Sequence, residues 1–166
     1  VQRSAFPARY DQQQAAAEAA IAKLTGGGAG SAVGSAAGTI GPFFNDAGVN
    51  PAKIAGIKGF LHSVDPLPYV LGGVGPKAFD CSGLVGEVWA QLTGHPSDRR
   101  YFTTFDFASG APGGFKQGAN GGTLAIGVDP TVHMAGNFDG LPFEAKSVAS
   151  GIVVGNGVPP VGAFPK

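Results

Sequence analysis

A change of period part-way along the chain restricts the fold more than any other feature. From Gly121 the apolar residues fall in short runs, Thr123–Val128, Val132–Asn137, Leu141–Ser147 and Gly151–Val154. Asp129-Pro130, Asp139-Gly140 and Ala149–Gly151 separate them. Runs of this length between turn residues read as strands, and Asp-Gly between two of them is a strong hairpin signal. Upstream the spacing is three and four. Cys81, Leu84, Val85, Val88, Trp89 and Leu92 form one stripe of a helix that begins at Asp80 and ends near Gly94. An earlier helix, Ala52 to about His62, presents Ile54, Ile57, Phe60 and Leu61 after an Asn50-Pro51 start. Helices first and antiparallel strands second imply an α+β domain over about residues 48–158.

The flanks differ in composition. Asp11–Leu24 is alanine-rich and predicts a helix with a weak apolar face. Thr25–Thr39 is almost entirely glycine, alanine and serine, too apolar-poor to offset its ordering entropy, and predicts a flexible linker. Residues 1–47 are therefore set apart from the domain, and 159–166 are expected as a tail. Asp65–Pro76 is a proline- and glycine-punctuated loop that delivers Tyr69 ahead of Cys81. His95–Asn120 is irregular but carries Arg99, Arg100, Tyr101, Phe102, Phe105 and Phe107, which predicts a packed loop rimming a cleft. Gly83, Gly86 and Ala90 make a second, small-residue face on the helix. Glycine inside a helix costs about 1 kcal/mol relative to alanine, and close approach of another backbone accounts for it.

Composition narrows the function. The chain has 11 basic and 11 acidic residues, and Arg99-Arg100 is its one basic pair, so the basic patch of a nucleic-acid binder is missing. No apolar run approaches the roughly 20 residues of a membrane span. A single cysteine excludes an internal disulfide and leaves the redox compartment open. The chain starts without methionine, which fits a processed product or a piece of something longer. No cofactor is expected, because no glycine-rich phosphate loop follows a strand. Nor are two histidines spaced as metal ligands.

The chemistry-bearing residues gather around Phe79–Val85. Asp80 is a good N-cap whose carboxylate can accept from the amides of Ser82 or Gly83. Cys81 then heads the helix, where unpaired N–H groups and the positive dipole end favour a thiolate, the nucleophilic form. Alone, such a cysteine is equally well a small core side chain. Of the three histidines, His62 closes a helix and His95 lies in a turn. His133 sits inside a strand run, with Ala135 on its face. A cysteine at a helix start and a histidine on a strand form a nucleophile with its base. A third polar group usually orients the imidazole. Glu144, eleven residues on across the Asp139-Gly140 hairpin, is the first candidate, with Asn137 and Asn156 behind it.

Pro68-Tyr69-Val70-Leu71-Gly72-Gly73, Phe79-Asp80-Cys81-Ser82-Gly83-Leu84-Val85 and a histidine 52 residues beyond the cysteine resemble the NlpC family of papain-like cysteine peptidases. The family pattern is P-Y-x-x-G-G, then D-C-S-G, then a strand-borne histidine, and the likeness spans about residues 50–156. It implies a papain-like fold with N-terminal helices packed on a small antiparallel sheet. It also implies a peptidoglycan hydrolase that cuts stem-peptide amide bonds, typically γ-D-glutamyl to a diamino acid, at the cell wall. Cys81 would be the nucleophile and His133 the base, with Tyr69, Asp80 and Ser82 meeting substrate. Two features depart from the pattern. Glu144 stands where the family usually has histidine, asparagine or glutamine, and Gly118–Thr123 replaces the usual Pro-Gly-Asp. A catalytically inactive wall-binding or structural domain and a transferase of the same fold are the alternatives. The run Arg99–Thr104 behind a glycine-rich linker looks like peptidase domains embedded in tail tape-measure proteins of actinobacterial phages, which implies a larger phage tail protein as the parent chain.

Overall fold

The computed structural model describes residues 43–44, 49–116 and 122–163. The expected helix at Asp11–Leu24 and the linker at Thr25–Thr39 lie outside them. The architecture is α+β, as the change of period predicts.

Helix α1 spans Pro51–Val64. Asn50 Oδ1 accepts from Lys53 N at 2.8 Å, and proline fills the first turn, where its missing N–H costs nothing. Ile57, Leu61 and Val64 are buried, with Ile54 and Phe60 partly covered. Helix α2 spans Cys81–Thr93 and closes on Gly94, whose φ of 78° is the left-handed conformation that favours glycine. The single apolar stripe predicted for α2 understates its burial, because eleven of its thirteen residues are buried. It is the central helix, packed against the sheet, α1 and the loop after it.

The small-residue face explains part of this. A Cβ at Gly83 would lie 2.0 Å from the Gly73 carbonyl oxygen, so the 66–79 loop can touch the helix only where a side chain is absent. Gly86 has no atom within 4 Å of its would-be Cβ, and close approach does not account for it.

Among the described residues, five strands form an antiparallel meander in chain order: β1 Phe43–Phe44, β2 Leu124–Asp129, β3 His133–Phe138, β4 Leu141–Ser147 and β5 Gly151–Val154. The four predicted runs match β2 to β5 within a residue, while β1 adds an edge ahead of residue 48. Asp139 and Gly140, at φ 45° and 83°, make the two-residue turn that pairs Phe138 with Leu141. Leu124, Ile126, Met134, Phe138, Phe143 and Ile152 meet Leu84, Val85, Val88 and Leu92 of α2 in one core. Ile152 N donates to Leu67 O at 2.9 Å, which covers the outer edge of β5. Residues 159–163, expected as the start of a tail, pack back: Pro159 is buried and Val161–Ala163 touches β2 and β3.

The segment after α2 is a packed loop. Phe102, Phe107 and Phe115 stack edge to face with centroids 5.4–5.8 Å apart, and Trp89 Nε1 donates to Gly113 O at 2.8 Å. Phe105 instead points outward and is exposed.

The two helix glycines should respond oppositely to alanine. Gly83→Ala is expected to lose about 1–3 kcal/mol, since rigid backbone blocks the new methyl group. Gly86→Ala should gain up to about 1 kcal/mol through helix propensity. Urea unfolding of both variants reads the difference.

Candidate active site

The site begins with Asp80, the residue before α2. Its Oδ1 accepts from Gly83 N at 2.6 Å, Ser82 Oγ at 3.1 Å and Arg100 Nη1 at 2.8 Å. Its Oδ2 accepts from Gly72 N at 2.8 Å and Arg100 Nη2 at 2.7 Å. One buried carboxylate thus ties together the 66–79 loop, the start of α2 and the loop after it. The Arg100 fork is bidentate, which fixes orientation as well as charge. Arg100 also donates to Gly73 O at 3.3 Å and to Ser82 Oγ. Desolvation alone would lower its own pKa, but the hydrogen bonds and charge of Asp80, with further negative charge at Cys81 and Tyr69, outweigh it and raise the value.

Tyr69 reaches the site through a short bridge with Phe79, in which Val70 N donates to Phe79 O at 3.0 Å. Burial holds its phenol well above the usual value, negative charge at Cys81 and Asp80 adds to that, and Arg100 opposes it. Tyr69 is therefore a neutral hydroxyl beside the sulfur.

Cys81 occupies the first helical position, 7% exposed, where the leading amides have no intrahelical acceptor. Its side chain hydrogen-bonds His133, which opens β3 and is 4% exposed. His133 Nε2 lies 2.9 Å from Glu144 Oε2, and Glu144 is fully buried on β4. A carboxylate accepts only, so Nε2 carries the hydrogen and Nδ1 is the nitrogen left for the sulfur. Desolvation alone would lower the pKa of this imidazole. The hydrogen bonds and charges of Cys81 and Glu144 outweigh it and push the value from 6.5 up to about 9. The shift favours the charged form of the ring, which lies between two acidic groups.

Cys81, His133 and Glu144, drawn from the helix start and two strands, thus meet in one chain of contacts, with Tyr69, Asp80 and Ser82 around the sulfur. The other candidates for the third position do not reach it. Asn137 Oδ1 accepts from Gly140 N at 2.9 Å and braces the hairpin turn, and Asn156 is exposed. His62 is exposed, and His95 is exposed against Trp89 with ring centroids 4.6 Å apart. Among the described residues no cluster of His, Cys, Asp and Glu could hold a metal ion, and no helix is long and apolar enough to cross a membrane.

Two residues around the site were not assigned to it by sequence. Arg100 stood out as half of a basic pair and as part of the loop expected to rim a cleft, but not as the partner of Asp80, although a buried acidic N-cap needs a cation. Glu87 is buried mid-helix, where Oε2 accepts from Asp98 N at 3.0 Å and Oε1 from Gln91 Nε2 at 3.0 Å. It anchors the loop that carries Arg100. A glutamate within an otherwise apolar helix was the available signal.

Comparison with known proteins adds one likeness. No family model and no curated protein matches the sequence. Among solved structures, the NlpC/p60 domain of the peptidoglycan hydrolase SagA is similar, with 28% identity over 64% of this chain and 89% of that one and a TM-score of 0.41.

The site predicts a measurable titration. NMR of His133 should give a midpoint near 9, and Cys81→Ala should lower it by removing one of the two partners that raise it. The folded pKa lies above the 6.5 of an unfolded histidine, so the native state binds this proton more tightly. The resulting stabilisation is complete below pH 6.5 and is lost as pH rises through about 9, which denaturant midpoints measured across that window would show.

Proposed function

We propose that this chain is a cysteine endopeptidase that hydrolyses stem-peptide amide bonds of peptidoglycan, with Cys81, His133 and Glu144 as its catalytic centre. The observation that carries the reading is the hydrogen-bonded line from the Cys81 side chain through His133 to Glu144, with Nε2···Oε2 at 2.9 Å. The D-C-S-G and P-Y-x-x-G-G motifs around it supply the substrate class, and the γ-D-glutamyl bond to a diamino acid is the bond they imply.

The Cys81 thiolate attacks the amide carbonyl, a C–S bond forms, and the oxygen takes the electron pair. The Cys81 N–H at the helix start helps hold that oxyanion. The His133 imidazolium gives its Nδ1 proton to the leaving nitrogen, the C–N bond breaks, and a thioester remains. Neutral His133 then takes a proton from water as the water oxygen attacks the thioester. The C–S bond breaks, the acid leaves, and the thiolate–imidazolium pair is restored. Glu144 keeps the ring in the required tautomer throughout. Tyr69 lines the site as a neutral donor, while Asp80 and Ser82, braced by Arg100, support the helix start beneath the sulfur. Such a substrate puts the work at the cell wall, and we place the domain within a larger phage tail protein, a carrier suggested by the resemblance of Arg99–Thr104.

A second reading rests on the burial of Cys81 and His133, 7% and 4% exposed. It is a wall-binding or structural domain that keeps the fold without turnover. Mass spectrometry of fragments released from defined peptidoglycan separates the two. The peptidase gives cleaved stem peptides, and Cys81→Ala loses about a thousandfold or more in rate while its unfolding curve is preserved. Equal cleavage by Cys81→Ala would rule the mechanism out. Wall binding without any cleavage by the parent chain would favour the second reading. Products formed with added amines would reveal acyl transfer to a nucleophile other than water.

A further inference from the structure

Glu144 has two oxygens, and His133 uses one. The other, Oε1, is buried without a hydrogen-bond donor among the described residues. The cation facing it is Lys146 Nζ at 3.7 Å, from a side chain only 19% exposed. Lys146 follows Glu144 by two positions on β4, at the irregularity where Ala145 pairs with Ile152 and Ser147 with Gly151, and a bulge of this kind re-aims a side chain. Its ammonium also donates to Gly157 O at 3.3 Å, which suspends it between the C-terminal segment and the carboxylate. The other titratable groups in this line are His133 from β3 and Cys81 from α2, while β5 places apolar Val153 opposite Glu144.

A neutral amide in the third position would leave a thiolate–imidazolium pair with no net charge. A carboxylate there adds a buried negative charge, which is costly unless paired and which binds the imidazolium's proton more tightly. We propose that Lys146 is a positioning residue that acts through Glu144: its ammonium shares the carboxylate with His133 and restores the charge balance of an amide, so the imidazolium can release its proton. The inference rests on the catalytic reading above for its purpose, but its charge coupling can be measured without turnover.

The test is the NMR titration of His133 in the full chain. Lys146→Met should raise the midpoint by about one pH unit, the effect of losing one partly screened charge at this range. Lys146→Arg should restore the parent value. In a Glu144→Gln background Lys146→Met should leave the midpoint in place, since the amide no longer draws the ammonium inward. With a stem-peptide substrate, Lys146→Met should lower kcat about tenfold with KM unchanged, because a more basic imidazolium is a poorer acid toward the leaving amine. An unchanged or lowered midpoint in Lys146→Met, or the same rise in the Glu144→Gln background, would overturn the proposal. The expected midpoint shifts in a chain that cleaves no peptide would keep the Lys146 coupling and sink the peptidase reading alone.

Discussion

The arrangement depends first on the Asp80 carboxylate. Five hydrogen bonds converge on it from the preceding loop, its own helix start and Arg100 twenty residues on. A buried carboxylate with this many donors, one of them a bidentate guanidinium, is satisfied where an isolated one would be strongly destabilising. Its partners also fix the start of α2 and therefore the place of the sulfur. Gly83 lets the Gly73 backbone close over the helix, and Gly72 hands its amide to Oδ2. The loop bearing Arg100 is held in turn by Glu87 from within α2. The helix thus organises the loops that lock its own first turn.

The second part of the site is a line of alternating groups: sulfur, imidazole, carboxylate, ammonium. Each lies within reach of the next in a region from which water is largely excluded, where charge interactions are stronger than in solution. Burial by itself would strip His133 of its proton, and the two acidic neighbours reverse that outcome. Competing effects of opposite sign make the imidazole sensitive to every group in the line. A side chain one contact removed, such as Lys146, therefore bears on the chemistry without touching the sulfur.

Much of this was legible in the residues, and what was not has physical causes. Strand runs, the Asp139-Gly140 turn and the Asp80 and Asn50 caps are local signals, and local chemistry decides them. The pairing of Cys81 with His133 was legible because helix starts and strand alternation constrain where such side chains project. Arg100 was not, since nothing local says that a loop arginine twenty residues on will fold back onto the cap. Nor did the apolar stripe of α2 reveal that its other faces are covered too: the covering comes from the 66–79 loop and the aromatic loop after the helix, which carry no periodicity. The return of Val161–Ala163 onto β2 and β3 was hidden for the same reason.

Which side chain meets His133 is decided by the hairpin. Asp139 and Gly140 fix the pairing of Phe138 with Leu141, and the ladder continues through Gly136 opposite Phe143. A Cβ at Gly136 would fall 2.2 Å from the Phe143 ring, so aromatic and glycine interlock and resist sliding. Glu144, the next residue on, must then point to the opposite face, and His133, three residues before Gly136, points to that same face. A slip of one residue would turn the carboxylate away from the imidazole and drive the Phe143 ring out of the core. The tight turn and the glycine beneath the ring therefore select the partner of His133, and Asn137, though nearer in sequence, is spent on bracing the turn.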